Sequence, residues 1–307
     1  MSFLYLLEGI RCPFLDTFFS LITHLGEETI FIVIGLLFFW CIDKYEGYFI
    51  LSVGFIGTVF NQFLKILCRV PRPWVKDPNF TIVESARAEA TGYSFPSGHT
   101  QSSVGSAGSI ARWNKNKILR GICIALCVLI PFSRMYLGVH TPADVLVSVV
   151  VALALIFGLY PLIKKTLENP RLMWWLIAAM GVVSLAFLLF VELYTFKGDI
   201  DISNYNSALK NSYTLTGCVA GLAVTYFVDT KFTHFDTKAV WWAQVLKLIG
   251  GTCLVFAIKA GLKAPLLSLF GGHHTATLIR YFLLVVVAGA LWPMTFRFFN
   301  KIGKKEK

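Results

Sequence analysis

The stretch "SRMYLGVHTPADVLVSVVVALALIFGLYPLI", residues 133–163, has two halves of opposite character. From residue 143 onward it holds one charge, Asp144, and is otherwise almost wholly apolar. A helix needs roughly 20 such residues to cross the hydrocarbon core of a bilayer. The half before it places Arg134, His140 and Asp144 against the start of that run. The stretch therefore predicts a membrane-spanning helix with a polar, titratable cluster at one end.

Working outward, eight more apolar runs follow the same pattern, at about 18–40, 48–68, 99–113, 119–138, 172–194, 212–229, 240–262 and 275–298. The chain has 307 residues, of which 56% are hydrophobic and 15% charged. That charge is too sparse to cover a soluble surface. The expected fold is all-α: a polytopic membrane helical bundle with about nine transmembrane helices. The run at 99–113 is short and rich in Ser and Gly, which suits a helix packed inside the bundle. "GSAG" (105–108) and "GCVAG" (217–221) are stretches of the same kind. The opening "MSFLYLLEGIRCPFLDTFFS" lacks a basic n-region and carries Glu8, Arg11 and Asp16. It reads as an amphipathic helix on the membrane rather than as a cleavable signal. The seven Cys are odd in number and form no CxxC, so they read as small buried hydrophobes.

The formal charge of +11 does not point to nucleic acid, because the basic residues cluster in particular loops. Residues 112–120, 164–171, 231–238, the tail from Arg297 and Lys44 share one side of a nine-span layout. Short loops rich in Lys and Arg stay cytoplasmic. The N-terminus is then outside and the C-terminus cytoplasmic, in a multi-pass protein of the cell membrane.

Three polar clusters fall on the outer side. In "KILCRVPRP" (65–73), Lys65 ends a span and Arg72 stands between two prolines that stop the helix. "PSGH" (96–99) opens the next run, and "SRMYLGVHTPAD" (133–144) is the third. Lys65, Arg72 and Arg134 supply three cations, two of them guanidinium forks matched to phosphate oxygens. Ser97 and Gly98 lie at a helix start, where unpaired N–H groups and the dipole favour an anion. His140 and Asp144 have the spacing that lets a carboxylate fix one ring nitrogen and leave the other to attack phosphorus. His99 suits protonation of the leaving alcohol and activation of water. "TPAD" (141–144) is also a capping motif, so Asp144 has a structural role open to it as well. Three cations and a helix start neutralise a phosphoryl group, so no metal and no cofactor is required.

These residues resemble the signature of the type 2 phosphatidic acid phosphatase (PAP2) superfamily: K-x6-RP, PSGH and SR-x5-H-x3-D, matched here from Lys65 to Pro73, Pro96 to His99 and Ser133 to Asp144. The resemblance covers about residues 20–165. It implies a phosphohistidine at His140, a general acid at His99, orientation by Asp144, and phosphate held by Lys65, Arg72, Arg134, Ser97 and Gly98. Its membrane members act on lipid phosphates or diphosphates at the outer face, and bacterial ones on undecaprenyl diphosphate, phosphatidylglycerol phosphate and phosphatidic acid. The expected partners are a lipid phosphate substrate and membrane lipids. Nine spans with an outer N-terminus are also similar to the glucose-6-phosphatase layout, which keeps a sugar phosphate open. A phosphotransferase, and a transporter using the motif only to bind phosphate, are the other readings.

Residues 1–168 are expected to form the catalytic core with its N-terminal interfacial helix, and 169–307 additional transmembrane helices. In that second part Arg280 and Lys259, with Lys263, are candidates for a second phosphate, against snorkelling to headgroups. The segment 196–211 reads as a polar outer loop, and "GGHH" (271–274) lacks the further ligands a metal site needs.

Overall fold

The computed structural model describes residues 1–196 and 201–301. Helices dominate, and no strand occurs among the described residues. In chain order they are α1 (Ser2–Gly9), α2 (Pro13–His24), α3 (Glu28–Leu37), α4 (Lys44–Cys68), α5 (Pro73–Lys76), α6 (Gly98–Trp113), α7 (Lys117–Tyr136) and α8 (Pro142–Thr166). After these come α9 (Arg171–Leu193), α10 (Ile202–Val228), α11 (Trp241–Gly261), α12 (Lys263–Leu269) and α13 (Thr275–Val286). The chain divides into two compact units. The first is built mainly from Met1–Ile34 and Phe49–Leu162, the second from Gly35–Tyr48 and most of the chain beyond Ile163.

By length and composition the expected count of about nine spans is met only in part. Six helical segments among the described residues are long and apolar enough to cross a membrane, and seven if the bent pair α2 and Glu28–Ile42 is one span. That pair bends by 49°, so the run 18–40 is not one straight helix. Two expected spans are helices that fall short of this test. α6 has only 16 residues, about 24 Å at 1.5 Å per residue, and is lined with Ser, Thr and Gln. α10 is long, but its first half is polar.

In the first unit the small residues of α6 allow close contact on two sides. A Cβ on Gly105 would lie 3.4 Å from Val53, and one on Gly57 would lie 2.2 Å from the Gln101 amide. One on Gly98 would meet Asn61 at 4.0 Å. The pairs 53/105, 57/101 and 61/98 descend one helix as they climb the other, so α4 and α6 run antiparallel. Gly108 leaves no room for a Cβ beside Ile156 of α8, which would stand 2.6 Å away. Asn116 caps α7 by accepting from the N–H groups of Ile118 and Leu119, which closes the α6–α7 hairpin.

The N-terminus departs from a single interfacial helix. Pro13 opens a second helix after the break at residues 10–12. Leu4 is fully buried with Phe80 and Ile82, and Phe19 packs on Tyr136 at 4.5 Å between ring centroids. α1 and α2 thus cover the polar end of the first unit.

The second unit is stapled by Lys44–Asp229 at 2.7 Å, with the ammonium over the Phe235 ring. A Cβ on Gly217 would sit 2.2 Å from the Leu278 carbonyl oxygen, so "GCVAG" is a close α10–α13 contact. The segment 196–211 is helical from Ile202, because Asp201 caps α10 by accepting from the N–H of Asn204. Asp199 and the basic tail residues 302–307 lie outside the described residues. His273 and His274 flank the Tyr213 ring, and His273 Nδ1 bonds Thr275 Oγ1 at 2.7 Å. Among the described residues none of the seven cysteines is in a disulfide.

Candidate active site

Four helix ends of the first unit converge: the C-termini of α4 and α7 and the N-termini of α6 and α8. The turn between α7 and α8 is set by Gly138 at φ +81°, a left-handed conformation costly for any residue with a Cβ. A Cβ there would also stand 2.7 Å from Arg11 Nη2 and 3.0 Å from the Phe80 ring. This turn delivers His140 just before α8. Asp144 and Thr141 form a reciprocal capping box: Thr141 N–H donates to Asp144 Oδ2 at 2.7 Å, and Asp144 N–H to Thr141 Oγ1 at 3.3 Å. The same Oδ2 accepts from Ser94 Oγ at 2.5 Å and faces His140 Nδ1 at 3.6 Å. Asp144 therefore caps the helix and faces the imidazole with one oxygen.

Arg72 occupies the other side of that ring. Its Nη1 lies 3.0 Å from His140 Nε2 and donates to the Val139 carbonyl at 2.9 Å. Its Nε donates to Gly92 O at 3.0 Å and its Nη2 to Thr91 O at 2.7 Å. A guanidinium only donates, so we assign the lone pair to Nε2 and the proton to Nδ1. Burial first, and then Arg72, Arg134, Lys65 and His99, push His140 well below the usual histidine range. Its Nδ1 has no hydrogen-bond partner among the described residues. The result is a neutral imidazole with its lone pair among cations.

Lys65 Nζ donates to Tyr93 O at 2.6 Å, and Arg134 Nη1 donates to Thr23 Oγ1 at 2.7 Å. Ser97 is fully buried and caps α6 through its hydroxyl, which accepts from Thr100 N–H at 3.4 Å. Its own N–H is taken by Asp144 O at 3.1 Å. Gln101 N–H makes the first α6 bond, to Ser97 O, so the N–H groups of Gly98 and His99 precede the helical ladder. His99 Nε2 lies 3.3 Å from Glu89 Oε2.

Residues the sequence did not single out complete the cluster. Thr23 holds Arg134, Ser94 holds Asp144, and Glu89 touches His99. Asn61, one turn before Lys65, is buried with both amide atoms unpartnered among the described residues. Only Ser94, three residues before Ser97, lay close enough to a motif to be noticed. Lys259 and Arg280 belong to the second unit. Arg280 is buried with its guanidinium 5.1 Å from the Tyr281 ring centre, and Lys259 lies 5.9 Å from that of Phe256.

Two family models match the chain one after the other. Residues 46–168 match the PAP2 superfamily model, and residues 213–305 match the model of the PAP2 superfamily phosphatase transmembrane extension. The chain is 36% identical over 104 residues to undecaprenyl-diphosphatase BcrC of Bacillus subtilis, covering 34% of this chain and 51% of that protein. It is 28% identical over 163 residues to phosphatidylglycerophosphatase B of the same organism, covering 48% and 75%. A probable sphingosine-1-phosphate phosphatase of Dictyostelium discoideum is 29% identical over 165 residues, covering 50% and 39%. The chain thus spans about half the length, or less, of the first and third of these. No solved structure matches it. The first model holds all three polar clusters, the second holds the latter part of α10 and α11 to α13, and on these grounds the chain belongs to the PAP2 superfamily.

Proposed function

We propose that the protein is a membrane phosphatase for a lipid phosphate or polyprenyl diphosphate, with residues 1–168 as its catalytic core. The observation that carries this reading is the environment of His140: a neutral ring with Nε2 at Arg72 and Nδ1 toward Asp144. In the first step Nε2 attacks phosphorus, the bond to the ester oxygen breaks, and His99 gives that oxygen its proton. Asp144 steadies the imidazolium that forms. In the second step His99 takes a proton from water, the water oxygen attacks phosphorus, and the N–P bond breaks to release phosphate. Lys65, Arg72, Arg134 and the N–H groups at Gly98 hold the phosphoryl oxygens as charge develops. The Ser97 hydroxyl hydrogen is a further donor.

Arg72 is bound to three carbonyls and His140 before any substrate arrives. An entering phosphoryl group takes over the contact of Nη1 with Nε2, which frees the nucleophile as it delivers the electrophile. The site lies at the extracytoplasmic face, N-terminus outside and C-terminus inside. This layout requires α6 and α10 to cross the membrane enclosed by other helices. Lys259 and Arg280 are proposed contacts for a second phosphate.

Purified full-length protein in detergent, with chelator present, is offered undecaprenyl diphosphate, phosphatidylglycerol phosphate, phosphatidic acid, a sphingoid phosphate and a hexose phosphate. Phosphate release from a lipid, lost in His140→Ala, supports the proposal. Full activity of His140→Ala sinks the mechanism, and preference for the hexose phosphate sinks the substrate class. Arg280→Gln and Lys259→Gln are expected to slow diphosphate hydrolysis and leave monophosphates alone.

A further inference from the structure

The motif supplies His99 with cations and no counter-ion. Burial first, and then the charges of Arg134, Arg72, Lys65 and His24, disfavour a charged His99. A general acid must carry a proton, and every one of those neighbours disfavours a second positive charge. Among the described residues one carboxylate group meets the ring. Glu89, in the loop before α6, places Oε2 at 3.3 Å from His99 Nε2 and Oε1 at 3.3 Å from His24 Nδ1. Glu27 holds the same His24 nitrogen at 2.5 Å. The 49° break between α2 and α3 makes this possible. A Cβ on Gly26 would sit 3.3 Å from the His99 carbonyl oxygen, so the turn lies directly against the start of α6.

We infer that Glu89 is the positioning residue for the general acid: its carboxylate binds Nε2–H of His99, keeps that ring protonated and turns Nδ1–H toward the leaving oxygen. This rests on the assignment of His99 as the acid. His24 and Glu27 fix the orientation of Glu89. Side-chain exposure rises from 18% at His99 through 32% at Glu89 to 50% at His24, so the chain of contacts leads from the site toward solvent. Burial, and next the charge of Glu27, raise the Glu89 carboxyl above the usual carboxylate range. Support for His99 therefore weakens as the medium turns acidic.

The test compares Glu89→Gln, Glu89→Asp and His99→Ala with the parent, using full-length protein with chelator in all assays. Two esters are used: a simple alkyl phosphate, whose alkoxide needs a proton to leave, and p-nitrophenyl phosphate, whose phenolate does not. Glu89→Gln is expected to lower kcat/KM about tenfold on the alkyl ester and less than twofold on the aryl ester. Its basic limb should move to lower pH by about one unit, the effect of losing one close opposite charge. Glu89→Asp should recover part of both. Equal losses on the two esters with an unmoved limb would make Glu89 merely structural and overturn the inference. So would no loss at all. His99→Ala separates the two levels: if it fails to discriminate between the esters, the assignment of His99 falls as well. If it discriminates and Glu89→Gln does not, only the role of Glu89 falls.

Discussion

Ser94→Ala removes one hydroxyl from a fully buried position and leaves the backbone unchanged. Ser94 donates to Asp144 Oδ2 at 2.5 Å, while the same oxygen accepts from Thr141 N–H at 2.7 Å and faces His140 Nδ1 at 3.6 Å. A hydrogen bond to a charged acceptor contributes about 1.5–3 kcal/mol. If that energy holds the carboxylate where the imidazolium forms, its loss appears in the transition state. At about 1.4 kcal/mol per tenfold, kcat/KM should fall roughly ten- to a hundredfold. The Michaelis constant should barely change, because Ser94 bonds Asp144 and not the phosphate. The assay is steady-state phosphate release from a lipid monophosphate, run with Ser94→Ala, Asp144→Asn and the double variant. In the Asp144→Asn background the second substitution should cost almost nothing, because its effect runs through the carboxylate. A single variant within twofold of the parent would refute the reasoning. So would additive losses in the double variant.

Thr23→Val deprives Arg134 Nη1 of its 2.7 Å acceptor and should weaken competitive inhibition by inorganic phosphate about tenfold, measured as Ki in the same assay. Gly138→Ala forces a Cβ into a left-handed turn against Arg11 and Phe80, and should lower the thermal midpoint in detergent by at least about 1–2 kcal/mol worth of stability. His140 is held neutral by burial and by surrounding cations, so its folded pKa lies below its unfolded one. The unfolded chain then binds the extra proton first. Stability from this group is present above about pH 6.5 and drains away as pH falls below it. Thermal midpoints at one scan rate should drop from pH 7 to pH 5, with a shallower slope in His140→Asn.

How much was legible follows from what sequence spacing can carry. The three clusters were readable because a helix end, a proline stop or a capping box each has a local signature. "TPAD" is the clearest case: the capping box forms as written, and its acid also faces His140. Helix positions were likewise readable from apolar runs, although a run records hydrophobicity and not straightness. The bend at residues 25–27 lies inside 18–40 and is marked in the sequence by Gly26 among His24, Glu27 and Glu28, which apolarity averaged over the run conceals. α6 and α10 are helices whose burial comes from neighbours, so their own composition is a poor measure of where they sit.

Two of the residues that escaped notice, Thr23 and Ser94, act through a partner distant in sequence. Thr23 and Arg134 are 111 positions apart, and Ser94 and Asp144 are 50. Nothing in a threonine at the end of an amphipathic helix marks it as the acceptor of a buried guanidinium. The motif residues are the proposed phosphate contacts and so are constrained in type. Their supports need only offer an oxygen at the right place, which many residues can do. The N-terminal helices therefore looked like a membrane surface anchor, while the structure uses their far end to hold Arg134 through Thr23 and to set His24 and Glu27 against Glu89. A motif specifies the chemistry at phosphorus. The break in the first apolar run, which no motif records, brings His24 and Glu27 to Glu89 and so to the proposed acid.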